Sequence, residues 1–220
     1  MNVLGNRKLE VIMRCICLVV LSVLMVIPAA ADELIVTPSQ DAYTCDCAPS
    51  TTNPNGGLYY LYQGPVYGCQ VNLYIEWDIS SLPEDIEIEN AEMWLYCKSI
   101  TGSVTGGNMI YYPITESWNE SNVTYNTMPS YSTTVSQESA WPGVQEWMSI
   151  DVTEFVESWY TGTTQNYGLF GHYLETIGNC CAGFYSSNYA NENLRPYMVI
   201  TYGETALESE SWGKIKQSDI

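Results

Sequence analysis

Basic side chains are scarce in this sequence. Its 220 residues contain 7 Lys and Arg against 25 Asp and Glu, a formal net charge of −18 at pH 7. Between residues 32 and 203 the basic residues are Lys98 and Arg195. Nucleic acids and anionic lipids are bound through Lys and Arg that neutralise phosphate, so this balance excludes both kinds of partner. It also disfavours uronate-rich or sulfated polysaccharides unless cations bridge, and it suits a neutral glycan, divalent cations or a saline medium.

Histidine is almost absent, which limits the catalysis open to the chain. His172 is the single histidine, so any Ser-His-Asp or Cys-His device would have to use it. No Gly-x-Ser-x-Gly nucleophile elbow occurs. Glu84 with Asp85 has the composition of a glycosidase pair, but such pairs are expected by chance in so acidic a chain. We therefore predict that the protein is not an enzyme and has no catalytic residues.

Long apolar runs are missing after residue 31. Before it, three basic residues precede a largely apolar run over residues 15–27, and small residues follow at 29–31. This order is typical of a cleaved secretory signal peptide, with an uncleaved N-terminal anchor as the alternative. We predict a signal peptide over residues 1–31, an exported domain over 32–203 and a flexible polar tail over 204–220. The mature chain would then be secreted or at the cell surface, without a membrane span.

Six cysteines remain when the signal segment is set aside. An even number in an exported chain predicts disulfide bonds, and fifteen pairings of six cysteines are possible. The alternative is a thiolate metal site, built from the Cys-x-Cys motif and the vicinal cysteine pair, which oxidation outside the cell disfavours. The predicted disulfide residues are Cys45, Cys47, Cys69, Cys97, Cys180 and Cys181.

Alternation of apolar and polar residues with a period of two dominates the rest of the sequence. It is clearest over residues 71–78 and 91–98, and it predicts half-buried strands. Further short strands are predicted along the chain, including one at residues 123–126, with turn clusters such as residues 54–57 and 141–143 between them. This pattern predicts an all-β fold, a jelly-roll-like β-sandwich.

Residues 151–162 break the strand pattern and predict one short helix. Asp151 is suited to cap its N-terminus, and Glu154 completes an acidic capping box. Gly162 is suited to end it in a left-handed conformation. One face of this helix would pack on the β-structure through Val152, Phe155, Val156 and Trp159.

A series of short motifs in a fixed order resembles a known family. The motifs are TPSQDAY at 37–43, WDISSLP at 77–83, IENAEMWLY at 88–96, ESWNESNVTYNTMP at 116–129 and RPYMVITY at 195–202. Over residues 36–202 the chain resembles the DNRLRE-domain group, also classed as family 96 carbohydrate-binding modules. The resemblance implies a secreted, jelly-roll-like module that often accompanies polysaccharide-degrading enzymes. Glu76 and Trp77 replace the usual basic residue and Phe, so ligand preference is not carried over.

Oxygen-bearing side chains near strand ends suggest a bound calcium ion. Hard cations need clustered carboxylate, amide and carbonyl oxygens, and no EF-hand-like loop is present. Two of the candidates also have a structural explanation: Asp78 as a turn former at a strand end and Asp151 as a helix cap. The predicted metal ligands are Asp41, Asn55, Asp78 and Asp151.

Aromatic residues are abundant, with 18 Tyr and 7 Trp, and they are the best ligand-binding candidates. The C–H face of a sugar ring packs on a flat aromatic ring, yet packing in the core remains the commoner use of such rings. We assign five tryptophans to the core because of their positions on strands, in a motif or on the helix: Trp77, Trp94, Trp118, Trp147 and Trp159. The predicted sugar-binding residues are Trp141, in a turn, and then Tyr59, Tyr62, Tyr67 and Tyr131.

These features together predict a secreted, non-catalytic domain that binds an extracellular or cell-surface polysaccharide, with calcium as the candidate cofactor. The alternative is a structural or adhesive protein of the cell surface or matrix, whose partners are other proteins or copies of itself. The composition and the motifs leave the oligomeric state open.

Overall fold

The computed structural model describes residues 31–53, 59–103, 107–174 and 179–204. Within these ranges the chain forms strands, one α-helix, and short 3-10 turns at Tyr125–Thr127 and Glu192–Leu194. No helix among them combines the length and the apolar character needed to cross a bilayer. The elements are β1 (Asp32–Val36), β2 (Pro38–Cys45), β3 (Tyr60–Val66), β4 (Cys69–Trp77), β5 (Ile86–Gly102), β6 (Asn108–Pro113), β7 (Gln137–Ser139), β8 (Glu146–Asp151), α1 (Thr153–Tyr160), β9 (Leu169–Leu174), β10 (Cys180–Tyr185) and β11 (Tyr197–Glu204).

The strands form two antiparallel layers that share β3. Sheet 1 has the order β1-β11-β5-β10-β3, and β8 also pairs with β5. Sheet 2 has the order β3-β4-β9-β6-β7, and β2 also pairs with β4. The first half of β3 pairs with β10 and the second half with β4. Because one strand belongs to both layers, the sheet curls into a sandwich, which confirms the predicted all-β fold.

Gly64 lies on β3 where the strand leaves sheet 1 and joins sheet 2. Its φ of +119° is one that residues with a side chain rarely adopt. A Cβ at this position would lie 2.3 Å from the carbonyl oxygen of Cys180 and 2.7 Å from the ring of Trp141. Only glycine therefore fits this corner, which explains why the chain can bend here without losing its pairing on either side.

The hydrophobic core lies between the two sheets, where the alternation in sequence places it. From Ala91 to Cys97 on β5 every second residue is fully buried, and the residues between them are partly exposed. Each large apolar side chain buried in this way contributes roughly 1.5–3 kcal/mol. The two clearest alternations in the sequence are thus confirmed, with the inward positions Leu73, Ile75 and Trp77 on β4 and Ala91, Met93, Leu95 and Cys97 on β5.

The helix α1 packs on this core through the predicted face, with Phe155, Val156 and Trp159 buried. Its start differs from the expected capping box. Asp151 Oδ1 accepts hydrogen bonds from the amide and the hydroxyl of Thr153 at 3.0 and 2.7 Å, and Val152 holds the N-cap position. Asp151 therefore stabilises the first turn through Thr153. The predicted stop is confirmed, since Gly162 has a φ of +70°.

Residues 115–130 form a covering segment over the outer face of sheet 2. The indole of Trp118 packs against Tyr74 and Phe170, which are almost fully buried beneath it. The strand predicted at residues 123–126 is wrong, because these residues form turns whose polar groups bond locally. The amide of Val123 donates to the Asn119 carbonyl at 2.9 Å, and a 3-10 turn follows at Tyr125–Thr127.

Candidate functional site

A continuous row of half-buried aromatic rings occupies the outer face of sheet 1. Each ring centroid lies 3.7–6.3 Å from that of a neighbour, and each side chain is partly exposed. We call this row the aromatic strip. Its members are Trp94 and Tyr96 on β5, Trp147 on β8, Tyr197 on β11, Tyr60 on β3, Tyr185 on β10 and Tyr189 in the turn that follows β10.

The strip is built from cross-strand pairs in direct register. Aromatic residues at such positions stabilise a sheet and hold each other in place. Trp94 and Tyr197 are stacked, with ring centroids 6.0 Å apart and planes 5° apart. Tyr96 and Trp147 meet edge-to-face, with centroids 5.4 Å apart. The rings of Tyr60 and Tyr185 are tilted toward each other, with centroids 5.9 Å apart. The pairs are Trp94 with Tyr197, Tyr96 with Trp147, and Tyr60 with Tyr185.

Further contacts join these pairs into one surface. Trp147 meets Tyr197 edge-to-face at 5.1 Å, and Tyr96 stacks on Tyr185 at 5.8 Å. Tyr189 then lies on Tyr185 with centroids 3.7 Å apart. The strip therefore extends across the strands of sheet 1 from β11 to β3 without a gap.

The outward position of Trp94 and Trp147 corrects their assignment to the core. Trp94 alternates with Met93 and Leu95, which point inward and are fully buried, and Trp147 precedes the buried Met148. The period of two that predicted β5 already placed Trp94 on the face opposite the core. Sequence reasoning missed this because the two tryptophans were assigned to the core for lying on strands, without regard to their place in the alternation.

Lys98 places a cation at the β3 end of the strip. Its Nζ lies 3.7 Å from the centroid of the Tyr60 ring and 5.6 Å from that of Tyr62. A cation over an exposed ring contributes about 0.5–1 kcal/mol. Lys98 thus helps to hold the rings of Tyr60 and Tyr62 in place at the β3 end of the strip.

The hydroxyls of Tyr185 and Tyr197 stay protonated at neutral pH. The hydrogen bond between Tyr185 and Tyr189, together with burial, raises the pKa of Tyr185 to about 12. Burial and the negative charge of Glu92 raise the pKa of Tyr197. A protonated phenol both donates and accepts hydrogen bonds, so the strip combines flat apolar surfaces with polar groups at their rims.

Trp141, the ring expected to be the exposed platform, is half-buried and packs against the main core. Its ring lies beside the backbone of Gly64, and its indole nitrogen is buried. The turn after Trp141 is exposed at Gly143 and Val144, but the ring itself points back toward the corner of the sandwich. A turn in the sequence thus places the backbone at the surface without placing the side chain there.

The predicted tyrosines fall in three different places. Tyr59 is 55% exposed beside the β3 end of the strip, and Tyr62 lies next to Lys98 at the same end. Tyr67 is 79% exposed at the tip of the β3–β4 hairpin. Tyr131 stacks on Phe170 at 4.2 Å in the aromatic cluster of sheet 2. The structure therefore brings Tyr62 to the end of the strip through Lys98 and places Tyr67 and Tyr131 elsewhere.

The predicted metal ligands do not converge in the described part of the chain. Asp78 Oδ1 accepts from the amide of Ser80 at 2.9 Å in a strand-end turn, and Asp151 stabilises the first turn of α1. Asn55 lies outside the described residues. Asp41 differs from these exposed side chains, because it is 2% exposed on β2. Burial raises the pKa of the Asp41 carboxyl to about 7. Hydrogen bonds from Ser187 oppose this rise, and the negative charge of Glu120 adds to it.

One disulfide bond joins Cys47 and Cys69 in the described residues. The sulfur of Cys45 and the carboxylate of Asp46 lie within 4.8 Å of both its sulfurs. This group contains the Cys-x-Cys motif but lacks the vicinal pair, and its two bonded sulfurs are not thiolate ligands, so the alternative metal site is not formed. The prediction that all six cysteines are bonded is not met, since four are buried free thiols: Cys45, Cys97, Cys180 and Cys181.

Burial keeps Cys97, Cys180 and Cys181 in the unreactive thiol form. It raises the pKa of Cys97 to about 11 and that of Cys181 to about 12, and the thiolate is the reactive form. His172 lies on sheet 2, where its Nδ1 is 2.7 Å from the amide oxygen of Asn72 and burial lowers its pKa. In hydrolases the triad carboxylate stabilises the charged form of the catalytic histidine. The uncharged amide of Asn72 orients the His172 ring but does not activate it as a base in this way.

The fold and the strip together define a small β-sandwich of the binding-module class, with a broad aromatic face. The chain belongs to carbohydrate-binding module family 96, whose sequence profile matches residues 33–202. It is also similar to a gellan lyase from Bacillus sp, with 29% identity over 133 residues. That match covers 59% of this chain and 5% of the lyase, so the chain spans a small fraction of that protein. The resemblance seen in the ordered motifs is thus confirmed.

Proposed function

We propose that this chain is a secreted, non-catalytic module that binds an extracellular polysaccharide through the aromatic strip. The observation that carries the proposal is the unbroken series of seven half-exposed rings on one face of sheet 1. Contiguous apolar surface of this kind marks a ligand site on a soluble protein. Membership of a carbohydrate-binding family supports a sugar as that ligand.

A polymer suits the strip better than a single sugar. Each ring offers a flat surface to the C–H face of one sugar, and neighbouring rings are close enough for successive sugars of one chain to use them. Contacts made by linked units add to one another, since each later contact forms at high effective concentration. Modest stacking at several positions then gives useful affinity without a deep pocket.

The charge of the protein favours an uncharged polysaccharide. Acidic residues greatly outnumber basic ones along the whole chain, and Glu92 shares the outward face of β5 with Trp94. The charge of Lys98 is directed at the rings of Tyr60 and Tyr62. A polyanion would therefore meet net repulsion, while the hydroxyls of a neutral sugar find carboxylate and phenol partners at the rims of the rings.

The test is a binding screen with matched variants. The wild-type protein is titrated against a panel of neutral and anionic polysaccharides, including gellan because a relative is named for its lyase. Tyr96→Ala and Trp147→Ala are expected to weaken binding at least tenfold, and Tyr67→Ala, which removes a more exposed ring far from the strip, is the control. Unchanged affinity in both strip variants would reject the site.

Two further readouts separate the competing functions. Release of reducing ends or unsaturated products from a bound polysaccharide would contradict the non-catalytic role. Absence of any glycan binding, together with self-association that depends on protein concentration in light scattering, would instead favour the structural or adhesive alternative.

A further inference from the structure

Asp41 carries a buried oxygen that nothing in the described residues satisfies. The side chain is 2% exposed on β2. Its Oδ2 accepts a hydrogen bond from the amide of Ser187 at 2.6 Å, whereas its Oδ1 is buried without a partner. Buried polar atoms almost always have a partner, and an ionised carboxylate has room for several. An orphaned carboxylate oxygen therefore points to a ligand.

A second carboxylate adjoins Asp41. Glu120, in the covering segment, accepts a hydrogen bond from the backbone amide of Asp41 through Oε2 at 3.1 Å. The amide of Glu120 in turn donates to the side chain of Gln40 at 3.1 Å. These two bonds hold Glu120 against the backbone of β2, and its negative charge contributes to the raised pKa of Asp41.

No basic side chain neutralises this pair within the described residues. The nearest cation is Arg195, which lines the same cavity of about 310 Å³ as Glu120, Ser187 and Asn188. Its guanidinium is directed elsewhere, since Nε donates to the Tyr189 carbonyl at 2.7 Å and Nη1 to Glu192 at 3.2 Å. Two adjoining carboxylates, one of them buried, are costly to keep ionised without a counter-charge.

We propose that Asp41 and Glu120 hold a calcium ion at this position. The cavity offers carboxylate, hydroxyl and amide oxygens from Glu120, Ser187 and Asn188. Asp41 adjoins it through its bonds with Ser187 and Glu120, and this set of oxygens suits a hard cation. Cysteine and histidine, the ligands that zinc prefers, are missing from the cavity lining. Water and backbone carbonyls complete the coordination, as they do in other calcium sites.

The position of the site gives the ion two structural tasks. It fastens the covering segment, through Glu120, to β2 of sheet 2. It also fixes Ser187, which lies between Tyr185 and Tyr189 of the strip. This second task rests on the proposed function, whereas binding of the ion itself does not.

Thermal unfolding tests the site without any glycan. The protein is stripped with chelator, and its Tm is measured during titration with CaCl₂ and, separately, with MgCl₂ at constant ionic strength. We expect a saturating rise with calcium, of about 5–10 °C at a hundredfold excess over Kd. Calorimetric titration should give one ion per chain. A Tm that is insensitive to calcium up to millimolar concentrations, or a larger response to magnesium, would overturn the assignment.

Matched variants locate the ion. Asp41→Asn keeps the shape of the side chain and should abolish the calcium response, while in chelator at pH 8 it should unfold at the wild-type Tm or above. Glu120→Gln should raise the Kd for calcium at least tenfold. This variant provides the test if Asp41→Asn fails to fold. Asp78→Asn, in an exposed turn, is the control and should respond normally. A calcium response that persists in both Asp41→Asn and Glu120→Gln would place the ion elsewhere and refute the proposal.

Discussion

Both outer faces of the sandwich carry aromatic rings, but the two faces are completed differently. On sheet 1 the rings of the strip remain half-exposed and contact one another along the surface. On sheet 2 the rings of Tyr74 and Phe170 are almost fully buried, and Trp118 of the covering segment packs against their cluster with its ring tilted toward Tyr74. The same kind of residue at the same kind of strand position is thus left half-exposed on one face and buried on the other.

The difference lies in long-range contacts and not in the strands themselves. The covering segment is held by Gln40, whose amide donates to the Trp118 carbonyl at 3.3 Å, and by the hydroxyl of Tyr125, which donates to Gln70 at 2.8 Å. It converts the outer face of sheet 2 into a second core. Among the described residues no equivalent segment lies over the aromatic strip, so its rings stay available to a ligand.

The largest expected effect is on the covered face. Phe170→Ala removes a buried ring beneath the covering segment and should lower the free energy of unfolding by about 3–5 kcal/mol. Tyr96→Ala, which truncates a half-exposed ring of the strip, is the matched comparison and should cost clearly less. Urea unfolding measures both. Equal losses would mean that the strip is as much a core as the covered cluster, and the contrast between the faces would fail.

The next effect concerns pH and the anchor of the covering segment. In chelator, the carboxyl of Asp41 titrates near 3.8 when unfolded and at about 7 when folded, so the folded state holds a proton that the unfolded state has lost. Stability contributed by this group is therefore complete below pH 4 and falls as pH rises toward 7, by about 4 kcal/mol in total.

The measurement compares unfolding curves of wild type and Asp41→Asn from pH 4 to 8, because the difference removes the titration of the other acids. A difference that is flat with pH would contradict the raised pKa. Saturating calcium should remove most of the slope of the wild type, since the ion favours the ionised carboxylate.

A somewhat smaller effect is expected from the disulfide at the edge of sheet 2. Cys47 and Cys69 are 22 residues apart, and loss of a crosslink of this span costs about 3 kcal/mol in the chain-entropy account. The double variant Cys47→Ser/Cys69→Ser should show this loss in urea unfolding. The single variant Cys47→Ser should lose less, because Cys45 lies within 4.8 Å and re-pairs with Cys69. Peptide mapping should detect that bond, and equal losses in the two variants would argue against re-pairing.

Local patterns were sufficient to predict most of the scaffold. The alternations over β4 and β5 and the apolar face of α1 depend on neighbours within a few residues, so the sequence displays them directly. The outward place of Trp94 was also contained in the alternation of β5. What could not be read locally are contacts between distant segments, such as the cover over sheet 2, the pairing of Cys47 with Cys69, and the approach of Glu120 to Asp41.

Trp141 and the 123–126 segment show the two ways in which local reasoning fails. The first was expected at the surface because its neighbours form a turn, but Gly64 at the corner of β3 leaves space that the indole fills. The second has the β-branched and aromatic composition of a strand, but Asn119 and the Thr124–Thr127 capping box satisfy its backbone groups within turns. Tertiary packing decides both outcomes.

The most direct test of the account is hydroxyl-radical footprinting of the protein with and without a saturating polysaccharide, read by mass spectrometry at single side chains. We predict that oxidation falls at least severalfold in the complex at Tyr96, Trp147, Tyr185 and Tyr197, while that of Tyr67 and Tyr112 stays unchanged. Protection that maps to sheet 2 or to the β3–β4 hairpin, with the strip oxidised at its free rate, would contradict it.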